Sequence, residues 1–489
     1  MIHLPRTKTL LKFKTVSICL LISMASFAQK KNLNTKPYPY GNPVIKHMYT
    51  ADASPHVMPD GRVWMVTSVD HEDGGGYSTM HCYHTFSSKD MVNWTDHGEV
   101  LNIYDAIGKT EEPKGEDWAL WAPDMVYYEG KYYLYFPVRI LFKEGGYDEK
   151  NRKTIAYTAV AVSDSPDKRF KVINPKIEGT TGIDPAIFID DDGQKYLYYG
   201  SHMAAKLKDN MTELDGKPIK LDVDDDRFME AIWMNKKAGK YYLSYHTEYD
   251  KPIDPEKPDD LFRKKSRLDY GVSDNPLGPF EYKGILNYEL GVNVSEGPKY
   301  PGKNYVPWRL YQSNHGGIVE YHGQEYLFYH TSALSSWRQD EFKNAGTWTQ
   351  RSVCIDKIVY DESGQIRPVQ QTLTGVPAVV INQPFEINLD IKSNLIKNNI
   401  LEFKDINLGS GYYYAGMNLK GIKTPTKCAI HLDRPDGELI GTFIIKKDGI
   451  SETLLRNANR THTVFFVFEN QFDANSKIVS AKIFAGSPK

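Results

Sequence analysis

The sequence predicts an all-β chain, with a five-bladed β-propeller over residues 35–372 and a β-sandwich of jelly-roll type over residues 385–489. Three observations predict it. One phrase recurs five times: a polar or acidic start, a short apolar strand, a turn with glycine, then a Tyr-rich strand. No stretch before residue 370 carries sustained helical periodicity. Beyond about residue 385, short runs alternate apolar and polar residues.

The five copies begin at Asp52, Asp124, Asp184, Glu230 and His315. The first runs from Asp52-Ala-Ser-Pro-His-Val through Gly61 to Trp64-Met-Val. Ala122-Pro-Asp124-Met-Val-Tyr-Tyr, Gly130 and Tyr132-Tyr-Leu-Tyr form the second. Asp184-Pro-Ala-Ile-Phe-Ile, Gly193 and Tyr196-Leu-Tyr-Tyr form the third. Glu230-Ala-Ile-Trp-Met leads through Gly239 to Tyr241-Tyr-Leu-Ser-Tyr, and His315-Gly-Gly-Ile-Val-Glu-Tyr through Gly323 to Tyr326-Leu-Phe-Tyr. Two runs of β-formers around a glycine that tolerates positive φ make each copy a hairpin. Phrases between the copies, such as Thr154-Ile-Ala-Tyr-Thr-Ala-Val-Ala-Val-Ser and Leu268-Asp-Tyr-Gly-Val-Ser, supply outer strands for four-stranded blades. The alternative arrangement is an array of β-sandwiches.

Thr372–Pro384, with Pro377 and Pro384, reads as a linker. Leu401-Glu-Phe-Lys-Asp-Ile, Cys428-Ala-Ile-His-Leu, Ile440-Gly-Thr-Phe-Ile-Ile and Thr463-Val-Phe-Phe-Val-Phe then give the strands of the second unit.

The N-terminus has the order of a secretory signal over residues 1–28. Lys8, Lys12 and Lys14 precede an apolar run from Val16 to Met24, and Ser26 and Ala28 stand before Gln29. The run is too short to span a bilayer, and no other segment resembles a span. The expectation is therefore an exported protein, periplasmic or secreted. Once the signal is removed, Cys82, Cys354 and Cys428 remain, without a disulfide framework or zinc spacing. Across 489 residues, 60 Lys and Arg nearly balance 62 Asp and Glu, which points away from nucleic acid as a partner. The 33 tyrosines favour strands and offer flat faces to sugar rings.

In a propeller the first strand of each blade lines the central axis. Asp52, Asp124, Asp184, Glu230 and His315 therefore converge on one end of the channel. Like charges in proximity raise one another's proton affinity, and burial adds to it, so a group of carboxylates there needs a use. Glycoside hydrolysis is the best fit. An inverting enzyme needs one carboxylic acid to protonate the leaving oxygen and one carboxylate to activate water, roughly 6.5–9.5 Å apart. A third carboxylate can hold the acid's proton on.

Tyr49-Thr-Ala-Asp52-Ala-Ser-Pro-His-Val, Gly182-Ile-Asp184-Pro-Ala-Ile-Phe and Phe228-Met-Glu230-Ala-Ile-Trp resemble the three signature strands of family 43 glycoside hydrolases. The resemblance runs from about residue 40 to 372 and takes in Trp121-Ala-Pro-Asp124, Asn314-His315-Gly-Gly-Ile-Val-Glu and Arg351-Ser-Val-Cys-Ile-Asp. It implies an inverting reaction on arabinofuranosyl or xylosyl linkages of plant cell-wall polysaccharide or oligosaccharide. In that scheme Asp52 is the general base, Glu230 the general acid, and Asp184 tunes and orients the acid. No cofactor is needed for the chemistry. His315 either touches a structural calcium ion in the channel or is a satisfied core histidine. Arg351 either reaches the sugar or the acid pair or is a structural ion-pair partner. Trp121 either stacks on a sugar face or packs the blade.

Asp124 is expected to be structural, as are His47, His56 and His330. Asp190, Asp191 and Asp192 read as a solvated hairpin tip, and Asp222–Asp226 as a surface loop or, lying just before Glu230, a part of the pocket rim. Gly74–Met80, Phe142–Lys153 and Lys251–Lys265 are expected to rim the funnel and set specificity. The C-terminal unit resembles the family 6 carbohydrate-binding modules through Leu401-Glu-Phe-Lys-Asp-Ile, Ile430-His-Leu-Asp-Arg-Pro-Asp-Gly-Glu-Leu-Ile-Gly and Val464-Phe-Phe-Val-Phe. It lacks an evident acidic opening strand, so it either binds sugar or serves as a packing domain. Two other functions stay open at this point: a non-catalytic sugar-binding propeller, and a propeller glycosidase acting on galactan, fructan or another glycan.

Overall fold

The computed structural model describes residues 37–72, 77–142, 153–250, 264–287, 314–338, 350–392, 398–470 and 476–488. The signal segment 1–28 and most of the expected rim loops, at 73–76, 143–152 and 251–263, lie outside the described residues.

Each recurring phrase forms the inner hairpin of one antiparallel sheet. Blade 1 is β1 (Tyr49–Val57), β2 (Val63–Asp70), β3 (Cys82–Ser88) and β4 (Trp94–Asn102), in that order. Blade 2 holds β5 (Glu116–Leu120), β6 (Asp124–Tyr128), β7 (Lys131–Phe142), β8 (Lys153–Ser163) and β9 (Lys171–Asn174). Blade 3 is β10 (Ala186–Ile189), β11 (Lys195–Tyr199), β12 (Met203–Leu207) and β13 (Leu214–Lys220). Blade 4 is β14 (Phe228–Lys237), β15 (Lys240–Asp250), β16 (Lys264–Ser273) and β17 (Glu281–Asn287). Blade 5 is β18 (Gly317–Tyr321), β19 (Gln324–Thr331) and β20 (Ser352–Lys357), and the short pair β21 (Val359–Tyr360) and β22 (Ile366–Arg367) follows. Helices among the described residues are short, as the absence of helical periodicity requires: α1 (Ile103–Ile107) and α2 (Ala333–Arg338).

The five hairpin glycines, Gly61, Gly130, Gly193, Gly239 and Gly323, all take φ between +74° and +85°. In three of them the preceding residue is left-handed too (Glu129, Ala238 and His322), which is the two-residue turn that matches strand twist. The ring closes on blade 5. Val44 N–H donates to Val353 O at 2.9 Å, so the chain start runs beside β20. Thr50 N–H in β1 donates to Arg351 O at 3.0 Å. The buried Asn42 amide ties the same edge to Ile355 and Asp356.

Beyond residue 385 two four-stranded antiparallel sheets form the sandwich. One is ordered β23-β30-β25-β28, the other β24-β29-β26-β27. Their strands are β23 (Glu386–Leu389), β24 (Ile400–Asn407), β25 (Tyr414–Lys420), β26 (Thr426–Leu432), β27 (Glu438–Ile445), β28 (Gly449–Leu454), β29 (Thr461–Phe468) and β30 (Lys477–Phe484). Leu401, Met417, Ile430, Phe443, Val464 and Phe466 fill the space between the sheets. The last residues of β30 and the Tyr413–Tyr414 pair instead join the core of blades 1 and 5, packing with Val57, Val63, Tyr321 and Phe328. Tyr414 Oη donates to Val57 O at 2.9 Å.

That docking corrects the expectation of a solvated tip at Asp190–Asp192. Asp190 and Asp191 are each 7% exposed. Lys236 Nζ lies 2.7 Å from Asp190 and 2.9 Å from Asp191, and the sandwich's Arg456 donates to Asp191 Oδ1 at 2.7 Å. Thr442 Oγ1 donates to Asp191 O. A turn-forming triplet became an interface because residues some 250 positions later pack on it. Asp225, read as part of a surface loop, is buried as well. It accepts from Arg227 Nε at 2.8 Å and from Tyr245 Oη at 3.1 Å.

Candidate active site

Asp52 sits in β1 where the register with β2 slips between Ala51 and Ser54, and its φ is +56°. Asp184, just before β10, also has φ +56°. Glu230 lies between two register slips in β14, and the next residue, Ala231, has φ +62°. Left-handed backbone at non-glycine residues is costly, and it persists where the surroundings force a side chain into place. Register irregularities turn Asp52 and Glu230 out of their ladders, and Asp184 stands just ahead of its own strand. Behind Asp184 the chain passes Gly200 so closely that a Cβ on Gly182 would stand 2.9 Å from the Gly200 Cα.

The three carboxylates line one cavity with Tyr77, Met80, Trp121, Ala122, Ile183, His315 and Arg351. Asp52 and Asp184 are 3% and 5% exposed, and the Glu230 side chain 13%. Asp184 Oδ2 accepts from Ala231 N–H at 3.2 Å, which joins blade 3 to blade 4 beside Glu230. Burial, then the charges of Glu230 and Asp52, raise the Asp184 carboxyl well above its usual range, so it keeps a proton where an exposed aspartate loses it. Arg351 Nη1 donates to Asp52 Oδ1 at 2.9 Å. Asp52 N–H donates to His330 Nδ1 at 3.3 Å. Burial lowers His315 despite Asp52 and Glu230 nearby, so its imidazole is held neutral. His246 Nδ1 lies 3.4 Å from Glu230 Oε1, directly across the ladder.

Sequence reasoning thus brings Asp52, Asp184, Glu230, Trp121, Arg351 and His315 to one cavity. Trp121 occupies a break in the inner edge of blade 2. β5 and β6 pair in succession with β7, and the gap between them faces Phe136–Pro137. Pro123 and Pro137 have no N–H to continue the ladder there. The Trp121 indole N–H donates to Tyr77 O at 3.0 Å, and the Arg139 guanidinium stacks 4.6 Å from its ring. Arg351 pairs with Asp52 rather than with the Asp184–Glu230 pair.

His315 lies 3.7 Å from Asp52 Oδ1, a carboxylate already engaged by Arg351. Among the described residues no group of three His, Cys, Asp or Glu side chains is arranged to hold a metal. Calcium takes six to eight oxygen ligands and a single imidazole is a weak one, so an ion beside His315 would draw its ligands mostly from water. Asp124 is a staple, as expected. His56 Nε2 lies 2.8 Å from its Oδ1, Ser54 Oγ also bonds it, and Ile187 N–H donates to its Oδ2 at 2.6 Å, so it links blades 1 and 3. Sequence reasoning took His330, which adjoins Asp52, as structural, and missed His246 beside Glu230 and Asp70, which holds Arg351. Each stands one strand away from a signature phrase, where only the ladder register reveals it.

A family model described as glycosyl hydrolases family 43 matches residues 40–366. A protein named xylosidase/arabinosidase 43A from Humicola insolens is 32% identical over 382 residues, spanning 66% of this chain and 98% of that protein. An arabinoxylan arabinofuranohydrolase from Bacillus subtilis is 26% identical over 538 residues, 93% of this chain and 96% of that protein. A GH43 enzyme from Xanthomonas citri, solved in complex with xylose, is similar at 27% identity and a TM-score of 0.50, covering 67% of this chain and 92% of that one. The match spans the propeller and takes in every blade that supplies a carboxylate to the cavity, so this chain belongs to glycosyl hydrolases family 43.

Proposed function

We propose that the protein removes arabinofuranosyl or xylosyl units from plant cell-wall polysaccharide or oligosaccharide, with inversion at the anomeric carbon. One observation carries this reading: carboxylates from blades 1, 3 and 4 meet in a single cavity that holds one guanidinium. Asp52, held in place by Arg351, accepts the proton of the attacking water. Glu230 donates a proton to the departing glycosidic oxygen. Asp184 keeps its own proton through burial and the charges around it, and so orients Glu230 across the blade junction. The reaction needs no cofactor, since water, acid and base suffice. Trp121, pinned by Tyr77 and Arg139, offers its ring to the sugar. The substrates named for the relatives, xylosides and arabinosides, support the same sugar class.

Residues 1–28 direct export in this reading. The sandwich serves first as a packing domain. Its aromatics Phe403, Tyr412, Tyr413, Tyr414, Phe443, Phe466, Phe468 and Phe484 are buried, and three of them face the propeller.

Glu230→Gln tests the assignment. Turnover of a xylo- or arabino-oligosaccharide should fall by about 10³-fold. The fall should be smaller on a 4-nitrophenyl glycoside, whose leaving group departs without a proton. Equal losses on both substrates, or none, would remove Glu230 as the acid.

A further inference from the structure

We infer that Asp70 is a positioning residue for the hydrolytic base, acting through Arg351; the inference rests on the function proposed above. Asp70 ends β2 and is 2% exposed. It collects four donors. Its Oδ2 accepts from Gln350 N–H at 2.9 Å, Arg351 N–H at 2.8 Å and Arg351 Nε at 2.9 Å, and its Oδ1 accepts from Arg351 Nη2 at 2.9 Å. The Nε–Nη2 edge of the guanidinium is therefore gripped side-on, the geometry in which a planar fork loses most of its freedom. Only Nη1 is left to point elsewhere, and it donates to Asp52 Oδ1. Tyr77, 5.3 Å from the guanidinium carbon, and Met80, whose Sδ lies 3.3 Å from Nη2, close its remaining sides.

The backbone is gripped with the side chain. Gln350 has φ +89°, a strained value, and its N–H is one of the four donors. Asp70 thus fixes both where the 350–351 segment sits and which way the guanidinium faces. A buried carboxylate that met no cation there would be costly. The arrangement divides one positive charge between two carboxylates. Asp70 holds the guanidinium back, so Asp52 stays a base rather than the sole partner of a full ion pair. Asp52 is also faced by His315, His330 and Asp184, and none of these is a permanent cation.

The experiment compares wild type, Asp70→Asn and Glu230→Gln, measuring kcat and KM on a xylo- or arabino-oligosaccharide together with the melting temperature of each protein. Asp70→Asn should lower kcat at least about tenfold with KM changed less than about threefold, because a transition-state contact is lost rather than a uniform one. A role confined to stability lowers the melting temperature and leaves kcat and KM of the folded protein in place. Wild-type kcat in folded Asp70→Asn overturns the inference, even while Glu230→Gln remains impaired. If Glu230→Gln also keeps full turnover, the underlying chemistry falls instead. Should Asp70→Asn fail to fold, Arg351→Lys carries the test. It keeps the charge but cannot form the fork, so the same fall in kcat is expected, and wild-type kcat overturns the inference.

Discussion

Two acidic clusters stand near opposite ends of the inner strand β10, and they differ in how their charge is answered. At the hairpin tip, Asp190 and Asp191 meet two cations, Lys236 and Arg456, along with the Tyr241 hydroxyl. Lys236 and the hydrogen bonds around Asp190 outweigh its burial and hold it below the usual carboxylate range. At the strand start, Asp52, Asp184 and Glu230 share, among the described residues, a single guanidinium, itself half claimed by Asp70. There the proton affinity of Asp184 goes up. The tip is balanced charge and serves to dock one domain on another. The cavity is unbalanced charge, and the fold sustains it with strained backbone at Asp52 and Asp184. Between these two clusters the difference separates structural acids from chemical ones where burial does not, because Asp52, Asp184, Asp190 and Asp191 are all buried.

The contrast can be broken by removing one acid from each cluster. Asp184→Asn should lower kcat by about 10²-fold or more. Its stability should equal or exceed wild type, with the gap widening as pH rises. A carboxyl whose proton affinity is raised in the folded state loses stability as pH climbs from its unfolded value, and asparagine does not. Parallel activity assays and thermal melts at pH 5 and pH 8 check both. Asp191→Ala should do the opposite. It leaves Arg456 and Lys236 short of a partner and should cost about 1–3 kcal/mol by denaturant titration, with kcat unchanged.

A smaller effect sharpens the picture at the same interface. Burial lifts Glu320 to about 7, beside Tyr413 of the sandwich. Wild type should therefore lose stability relative to Glu320→Gln as pH rises from the ordinary glutamate value, about 4.3, toward 7. Melting temperatures of the two proteins at pH 5 and 7.5 should diverge, the variant gaining at the higher pH. A constant difference would mean Glu320 does not titrate in that window.

What the sequence reveals follows from how far apart the partners are. The inner hairpins were legible because strand, glycine turn and Tyr-rich strand are local, and the five glycines do take the left-handed conformation. Asp52, Asp184 and Glu230 were legible because each opens a repeat, and repeat position maps onto the axis. Asp124 opens one too, yet it is a staple, and only its bonds to Ser54, His56 and Ile187 say so. The tip at Asp190–Asp192 has the composition of a solvated turn, and nothing local foretells Arg456 arriving 265 positions later. The contacts of Asp70 and His330 were hidden in the same way. Their partners, Arg351 and Asp52, lie 281 and 278 residues away. Ladder register and blade order bring them together, and neither is written in a local phrase.

The most direct measurement follows the hydrolysis of a 4-nitrophenyl xyloside or arabinofuranoside by proton NMR in its first minutes, before the released sugar equilibrates. Water delivered by Asp52 from the face opposite the leaving group must give the anomer opposite to that of the substrate. First appearance of the retained anomer would instead require a covalent sugar–carboxylate intermediate and would contradict the roles assigned to Asp52 and Glu230.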